Sequence, residues 1–333
     1  MNRTGLVIIG RNEGQRLYQC LLSAINQIEQ IVYVDSGSTD NSVDLARSLN
    51  VDVIKLDPSI PFTAARARNE GFTYLLGVNP QIEYVQFIDG DCEIVSGWLE
   101  VAQNELDAKP DVAAVCGRRR EQYPDKSIYN QLCDMEWNWN TAIGEAKACG
   151  GDAMMRVKAF QQVGGFNPTL IAGEEPELCV RLRQMGWKIW RLNAEMTLHD
   201  AHIMRFKQWW TRAIRAGYAY TEGAWLHGSE SERHWVKESQ SILLWGLVIP
   251  VLMLGMVSFT HGLSLLMLIT YLLLGVKVFI KARSQKYKNK HAASYALFCV
   301  LSKFAQVLGL LNFLKKLTLQ SKSVLIEYKN LCG

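Results

Sequence analysis

The fold is decided by the stretch Tyr84-Val-Gln-Phe-Ile-Asp-Gly-Asp-Cys-Glu-Ile-Val95. Its first five residues have the β-branched and aromatic composition of a buried strand. Two carboxylates, Asp89 and Asp91, follow this strand with one glycine between them. Because residues i and i+2 of an extended segment point the same way, both carboxylates can face one hard cation. A turn that merely closes the strand is the alternative for this segment taken alone.

Strand and helix patterns alternate on both sides of this stretch, which predicts a mostly parallel sheet with helices on both faces. The other predicted strands are 6–9, 31–34, 51–55 and 112–116. Loops beyond the carboxyl ends of such strands build the ligand site. Glu13, Asp35 and the Asp89/Asp91 pair all follow predicted strands, so we expect them to meet at one edge of the sheet.

The composition changes near residue 241. Residues 242–259 carry no formal charge, and residues 263–280 are apolar except for Lys277. Each run approaches the roughly 20 residues needed to span a bilayer. The positive-inside rule places the basic loop 281–290 in the cytoplasm. A hairpin of two spans then leaves the N-terminal region cytoplasmic as well.

The chain after this hairpin is basic. Residues 281–333 hold ten lysines and arginines but one acid, Glu327, which favours contact with an anionic membrane surface. Residues 294–314 are apolar with Lys303 and Gln306 on one helical face, so we interpret them as an amphipathic interfacial helix, with a third span as the alternative. The apolar residues between the charges fit a bilayer better than a nucleic acid, and no nucleic-acid partner is expected.

Two common classes of nucleotide-binding protein are not supported. The sequence contains neither G-x-x-x-x-G-K-[ST] nor a G-x-G-x-x-G after its first predicted strand. The eight cysteines are scattered without a C-x-x-C pair, which is typical of reduced thiols and not of a disulfide framework or a zinc site.

Four motifs follow one another in the first hundred residues. They are Val7-Ile-Ile-Gly-Arg-Asn-Glu13, Tyr33-Val-Asp-Ser-Gly-Ser-Thr-Asp40, Ala65-Arg-Ala-Arg-Asn-Glu-Gly71 and Phe87-Ile-Asp-Gly-Asp91. In this order they resemble the family 2 glycosyltransferases, with their V-D-D-G-S-T-D, A-x-A-R-N-x-G and D-x-D motifs. The resemblance implies an α/β GT-A fold, a Rossmann-like and mostly parallel mixed sheet, in residues 1–235. An α-helical membrane region would follow in residues 236–333.

The resemblance also implies a nucleotide-diphosphate sugar as donor. Asp35 would accept a hydrogen bond from the base, and Glu13 would lie near the base or ribose. Asp40 would help to shape this pocket, although capping the following helix is an equally good account. Arg66 would reach toward the nucleotide or diphosphate, whereas Arg68 could sit in an exposed ion pair.

A divalent metal, Mg²⁺ or Mn²⁺, is implied at the D-x-D motif. It would neutralise the charge of the departing nucleotide diphosphate. Asp91 is the firmer ligand, and Asp89 would bind directly or through ribose and water. His199 and His202 are candidates for a further ligand, with an ordinary surface histidine as the alternative.

The second half of the catalytic region would bind the acceptor. Within Cys149-Gly-Gly-Asp-Ala-Met-Met-Arg156, Gly150 and Gly151 would let the backbone approach the transferred sugar, and Asp152 could bind its hydroxyls. In the segment Ala172-Gly-Glu-Glu-Pro-Glu-Leu178, the family's general base corresponds to Glu175, with Glu174 as the alternative. A single base without a nucleophile motif predicts inversion at the sugar carbon.

The sequence therefore predicts an inverting, metal-dependent glycosyltransferase anchored at the cytoplasmic face of the inner or plasma membrane. Its acceptor would be lipid-linked or part of a cell-surface polysaccharide. Arg118-Arg-Arg120 follows the end of a predicted strand and could approach phosphate, with a solvated charge run as an equally good alternative. The rival hypothesis is a catalytically silent membrane scaffold that binds a nucleotide sugar, against which the intact acids at 35, 89, 91 and 175 count.

Overall fold

The computed structural model describes residues 3–139 and 142–319 of the chain. The end of the predicted membrane region, with Cys332 and the last basic residues, lies outside these ranges. The chain forms two compact units. The first combines the residues up to Tyr123 with Trp137–Ala201, and the second combines Pro124–Glu136 with the residues from His202 onward. The boundary at residue 235 stays a sequence-based prediction.

Within the described residues, nine strands form one mixed sheet in the first unit. They are β1 (Thr4–Gly10), β2 (Gln30–Asp35), β3 (Asp52–Lys55), β4 (Tyr84–Asp89), β5 (Cys92–Ile94), β6 (Val112–Glu121), β7 (Gly144–Ala146), β8 (Ala153–Arg156) and β9 (Lys188–His199). Their order is β3-β2-β1-β4-β8-β6-β9-β5, with β7 paired to β9. The strands from β3 to β4 are mutually parallel, as predicted, whereas β8 is antiparallel to both of its neighbours.

The register of the parallel strands brings the site loops together. Gly10 of β1 lies opposite Asp35 of β2, and Ile9 of β1 lies opposite Asp89 of β4. Leu6–Ile9 are all buried, as expected for a strand covered on both faces. The chain therefore leaves all three strands at the same edge of the sheet.

In the part of the first unit that the structure describes, six helices accompany the sheet. They are α1 (Gln15–Ile25), α2 (Ser42–Ser48), α3 (Ala64–Val78), α4 (Trp98–Ala108), α6 (Val157–Gln162) and α7 (Glu174–Gln184), while α5 (Ile128–Trp137) belongs almost entirely to the second unit. The hydroxyl of Thr63 caps α3 by accepting a hydrogen bond from the backbone N–H of Arg66 at 3.1 Å. Such a bond satisfies one of the donors left free at a helix start.

The arginines at 118–120 lie within β6 and not beyond its end, which corrects the sequence-based placement. Because successive side chains of a strand point to opposite faces, the three arginines are divided between the two faces of β6. Arg118 and Arg120 are near Glu195, at 3.8 and 4.0 Å, and are about half exposed. Arg119 points to the other side, toward the candidate site.

The second unit is helical. After α5 it contains α8 (Phe206–His227), α9 (Val236–Leu243), a π-helical turn (Leu244–Val248), α10 (Ile249–Gly255), α11 (Leu268–Ser284) and α12 (Asn289–Leu319). Two glycines let α8 and α12 touch through their backbones. A Cβ at Gly217 would lie 2.1 Å from the carbonyl oxygen of Gln306, and one at Gly309 would lie 2.0 Å from that of Ile214.

Among the described residues, three helical segments are long and apolar enough to cross a membrane. They are Val236–Gly255, Leu263–Ser284 and Asn289–Leu319, and they overlap the two predicted spans and the predicted third apolar helix. Many of their large apolar side chains are exposed, for example Leu254 (63%) and Leu272 (67%). Such surfaces are suited to contact with lipid.

The turn that joins the first two of these segments is closed by internal hydrogen bonds. Gly262, with φ of 87°, donates its N–H to the carbonyl of Val257. Ser264 donates its hydroxyl to the carbonyl of Met253 and its N–H to Thr260 Oγ1. At the tip, the ring of Phe259 is 84% exposed.

Gly71 sets the distance between α3 and the sheet. A Cβ there would lie 2.5 Å from Val7 Cγ1 and 2.9 Å from Val34 Cγ2, so Gly71→Ala should destabilise the fold by about 1–3 kcal/mol. The measurement is the thermal unfolding of detergent-solubilised protein. Gly77→Ala, in the same helix, is the matched control, because nothing lies within 4 Å of the Cβ position of Gly77. Equal unfolding temperatures for the two variants would contradict this packing.

Candidate active site

Asp35 organises the turn that follows β2. Its Oδ1 accepts a hydrogen bond from Tyr33 Oη at 3.0 Å, and its Oδ2 accepts from the N–H groups of Gly37 and Ser38 at 3.1 and 3.0 Å. Asp35 is 2% exposed. Burial, followed by the charge of Asp35, raises the pKa of Tyr33. The residue predicted to bind the base therefore also fixes the loop that would surround it.

The loops after β1 and β2 are joined to each other. Asn12 Oδ1 accepts from the N–H of Thr39 at 2.7 Å, and Ser42 Oγ accepts from the N–H of Gly14 at 2.9 Å. Glu13 forms an ion pair with Arg16 at 2.8 Å.

Glu13 and Asp40 occupy different environments within these loops. The Cγ of Glu13 is 3.5 Å from the Cβ position of Gly90, so Glu13 lies beside the Asp89-Gly-Asp91 turn. Asp40 is exposed, and its Oδ1 accepts from the N–H of Ser42 at the start of α2. This contact supports the helix-start account of Asp40.

Two arginines of α3 have different environments. Arg66 donates from Nη1 to the carbonyls of Asp57 and Ile60, so it holds the loop that precedes the helix. Arg68 donates to Asp89 Oδ1 and to Glu174 Oε1, each at 2.7 Å. The ion pair of Arg68 is buried and not exposed as the sequence suggested, since its side chain is 3% exposed. Arg66's predicted contact with the diphosphate stays a prediction.

The charge of Arg68 is maintained by these two acids. Burial by itself lowers the pKa of Arg68, but the negative charges of Asp89 and Glu174 outweigh it and raise the pKa. Gly151 makes room for this arrangement, because a Cβ there would lie 2.8 Å from Arg68 Nη2 and 3.4 Å from Asp89 Oδ2. At Gly150, with φ of 82°, the Cβ position faces open space. Backbone approach by a ligand is therefore sterically possible at Gly150.

Asp152 is a buried acid that accepts a hydrogen bond from the backbone of Asp89. It is 0% exposed, and it accepts hydrogen bonds from the N–H of Asp89 at 3.2 Å and from Thr197 Oγ1 at 2.8 Å. Arg119 Nη2 lies 2.6 Å from Asp152 and 3.7 Å from Asp89 Oδ2, and its guanidinium lies over the ring of Trp137. The expected contact of Asp152 with sugar hydroxyls stays a prediction.

Asp91 meets His199 across the antiparallel pair of β5 and β9. The pairing places Cys92 opposite His199, and His199 Nε2 lies 3.4 Å from Asp91 Oδ2. These side chains are 7% and 1% exposed. On its other side, His199 Nδ1 lies 3.7 Å from Glu121 Oε2, and the ring of Trp137 packs edge-on at 4.6 Å.

This arrangement fits a divalent metal ion. Ligand atoms of Asp91, Cys92 and His199 lie within 4.8 Å of one another. A carboxylate oxygen and an imidazole nitrogen are ordinary metal donors, and a carboxylate behind the histidine commonly orients the ring. Glu121 lies on that side of His199, with its Oε2 3.7 Å from Nδ1, slightly beyond hydrogen-bond distance. His202 belongs to the second unit, is exposed and has φ of 47°, and its predicted metal contact stays a prediction.

The two candidate bases share the first turn of α7 but have different partners. Glu174 accepts a hydrogen bond from the buried guanidinium of Arg68. Glu175 is 5% exposed, and its Oε1 accepts from the N–H of Cys149 at 2.6 Å. The thiol sulfurs of Cys149 and Cys179 lie 3.1 and 3.0 Å from the same oxygen. Negative charge in a first helical turn is also favoured by the helix dipole.

Residues 6–164 of the chain match the family model described as glycosyl transferase family 2. The predicted family is thereby confirmed.

Known proteins of similar sequence are bacterial. The O-antigen chain rhamnosyltransferase WbaN of Salmonella anatum is 25% identical over 236 residues, which cover 66% of this chain and 73% of that protein. The O-antigen chain rhamnosyltransferase RfbN of Salmonella typhimurium is 25% identical over 264 residues, which cover 72% and 81%.

Among solved structures, the mannosyltransferase PcManGT of Pyrobaculum calidifontis, in complex with GDP-Man and Mn²⁺, is similar in fold. The TM-score is 0.62 at 16% identity, with 94% of this chain and 87% of that one covered. The predicted fold class, a GT-A domain with a C-terminal helical membrane region, is confirmed.

Arg68 should be important for stability. Arg68→Gln leaves two carboxylates without their buried cation and should lower the free energy of unfolding by about 3 kcal/mol, as measured by urea unfolding in detergent. Arg118→Gln is the control, because its pair with Glu195 at 3.8 Å is exposed and should contribute less than about 1 kcal/mol. Similar losses in both variants would refute the special role of the buried cation.

Proposed function

We propose that this enzyme transfers a sugar, with inversion, from a nucleotide-diphosphate sugar to a hydroxyl of a lipid-linked or cell-surface polysaccharide acceptor. The transfer takes place at the cytoplasmic face of the inner or plasma membrane. The observation that carries the proposal is the convergence of Glu13, Asp35 and the Asp89/Asp91 pair at one edge of the sheet. Ligands of open α/β sheets bind at that edge.

The nucleotide end of the donor is assigned to the loops after β1 and β2. Asp35 and Glu13 supply the acceptors for base and ribose, and the loop that ends near Asp40 forms the wall. The diphosphate then extends toward Asp89 and Asp91, beside which Arg68 and Arg119 carry positive charge. The position of β1 between β2 and β4 supports this direction.

Asp91 and His199 are proposed to hold Mg²⁺ or Mn²⁺, with Asp89 as a neighbouring or indirect ligand. When bound, the ion neutralises negative charge on the departing nucleotide diphosphate. The Mn²⁺ named for the Pyrobaculum calidifontis mannosyltransferase, together with the buried oxygen and nitrogen donors here, supports this assignment.

Glu175 is proposed as the general base. The acceptor oxygen forms a bond to C1 of the sugar, the bond from C1 to the diphosphate breaks, and the proton of the hydroxyl passes to the carboxylate. Glu174 is less suited to this role, because Arg68 already occupies its Oε1 at 2.7 Å. Glu175 has neutral hydrogen-bond donors as partners.

The names of the relatives guide the choice of substrate. Two of them are O-antigen chain rhamnosyltransferases, and a third relative is named succinoglycan biosynthesis protein ExoA. These names support a role in polysaccharide biosynthesis and make nucleotide-activated rhamnose the first donor to test. A panel of nucleotide sugars with metal present, assayed by thermal stabilisation, identifies the donor.

Membrane attachment is proposed to hold the enzyme near lipid-linked acceptors. The three apolar helices and the basic residues 281–290 support this localisation. Membrane lipids are then partners of the second unit.

Asp91→Asn should weaken Mn²⁺ binding by more than about tenfold and abolish metal-stimulated transfer, because the buried carboxylate loses its charge. Binding is measured by electron paramagnetic resonance of free Mn²⁺. Asp111→Asn serves as the control, since Asp111 is an exposed acid paired with Lys188. Full metal stimulation in Asp91→Asn would refute the metal assignment.

Glu175→Gln should preserve donor binding and lower kcat by about 10²–10⁴-fold, because the amide cannot accept the proton of the acceptor. Donor affinity is measured by calorimetry and transfer by product formation. Glu174→Gln is compared in parallel. If Glu175→Gln retains transfer while Glu174→Gln loses it, Glu174 is the base.

A further inference from the structure

Glu175 is surrounded by two cysteines that the proposed reaction has not used. Cys149 directly precedes Gly150, and Cys179 lies four residues after Glu175, on the same face of α7. All three residues are buried, with exposures of 3%, 5% and 0% for Cys149, Glu175 and Cys179. We call them the thiol–carboxylate cluster.

The cluster is centred on one oxygen atom. Glu175 Oε1 lies 2.6 Å from the N of Cys149, 3.1 Å from Cys149 Sγ and 3.0 Å from Cys179 Sγ. The two sulfurs are 3.6 Å from each other, farther than either is from the carboxylate. Oε1 accepts every hydrogen bond that the described residues donate to Glu175.

Both thiols are protonated donors. Burial raises the pKa of Cys179, and the contact with Cys179, followed by burial, raises the pKa of Cys149. A buried neutral thiol is a poor nucleophile and a poor target for oxidation. Both thiols can therefore donate hydrogen bonds to the carboxylate.

We propose that Cys149 and Cys179 are positioning residues, which hold Oε1 of Glu175 so that Oε2 receives the proton of the acceptor hydroxyl; this inference rests on the proposed role of Glu175 as general base. The three donors fix one end of the carboxylate and leave its other oxygen for the substrate. Fixed orientation matters because a displacement of about 1 Å can cost about 10²-fold in rate.

The choice of thiols has a physical reason. A guanidinium holds a carboxylate through a charge-assisted hydrogen bond, as Arg68 holds Glu174, and that charge opposes the arrival of a proton. Neutral thiols are weak donors, so they orient Glu175 without supplying a positive charge. The two neighbouring acids thereby differ in their capacity to take part in proton transfer.

The decisive experiment separates hydrogen-bond donation from packing at residue 179. Cys179→Ser keeps a donor but places a more polar group in an apolar site, whereas Cys179→Ala removes the donor and keeps an apolar side chain. We expect kcat to fall about tenfold in Cys179→Ala and to stay within about threefold in Cys179→Ser, with an unchanged donor KM in both. Unfolding temperatures measured on the same samples show whether activity follows the donor or the stability.

Cys116→Ala is the matched control, because Cys116 is another fully buried thiol of the same core and lies outside the cluster. Its kcat should equal that of the unaltered enzyme. If kcat follows the unfolding temperature and not the donor, the two cysteines are packing residues and the inference is wrong.

Two further outcomes distinguish this inference from the proposed function. If Glu175→Gln abolishes transfer while Cys179→Ala is fully active, the base is retained and its positioning by thiols is refuted. If Glu175→Gln is itself active, the proposed base is wrong and the inference fails with it. Stoichiometric zinc in the purified enzyme, lost in Cys179→Ala, would show that the cluster binds metal and would also overturn the inference.

Discussion

The arrangement of the candidate site depends on one buried cation. Arg68 extends from α3 and contacts Asp89 at the end of β4 and Glu174 at the start of α7. These acids are far apart in the chain, and without the guanidinium their like charges would repel each other within a partly buried space. Because a guanidinium stays charged at every physiological pH, this connection does not depend on protonation. The proposed donor side and the proposed acceptor side of the site are thus joined by a single side chain.

The contacts of Arg68 also give neighbouring acids different surroundings. The end of β4 and the turn after it supply Asp89 and Asp91, and the start of α7 supplies Glu174 and Glu175. Arg68 binds one acid of each pair. The other two, Asp91 and Glu175, have partners of another kind, an imidazole and a pair of thiols. In each pair, one acid maintains the structure around the cation, while its neighbour has the surroundings suited to metal binding or proton uptake. Glycine at position 151 is required for this closeness, because a side chain there would collide with Arg68.

Much of the sheet could be predicted from the sequence, because β1, β2 and β4 are largely apolar runs and a polar motif follows each of them. The convergence of Glu13, Asp35 and Asp89 follows from that rule alone. The individual partners could not be predicted. Arg68 and Glu174 are separated by 106 residues, and nothing in the local pattern indicates that they meet.

The role of Arg119 was also hidden, because the predicted strand was too short and made 118–120 resemble a solvated charge run. In the structure β6 extends to Glu121. The alternation of side chains along the strand then places Arg119 on the face of the candidate site, and Glu121 lies near Nδ1 of His199. The thiols near Glu175 had no sequence signal beyond the spacing of four residues between Glu175 and Cys179. That spacing places them on one helical face but does not bring in Cys149, which comes from a separate loop.

The turn between the first two apolar segments has a consequence for how this chain enters a bilayer. Peptide groups that bond to water must lose that water before they enter hydrocarbon, which costs several kcal/mol for each group. Here the hydroxyls of Thr260 and Ser264 and the N–H of Gly262 already have partners inside the turn. These internal partners lower the desolvation cost that the turn and its two helices would meet if they entered hydrocarbon together, with the exposed ring of Phe259 at the tip.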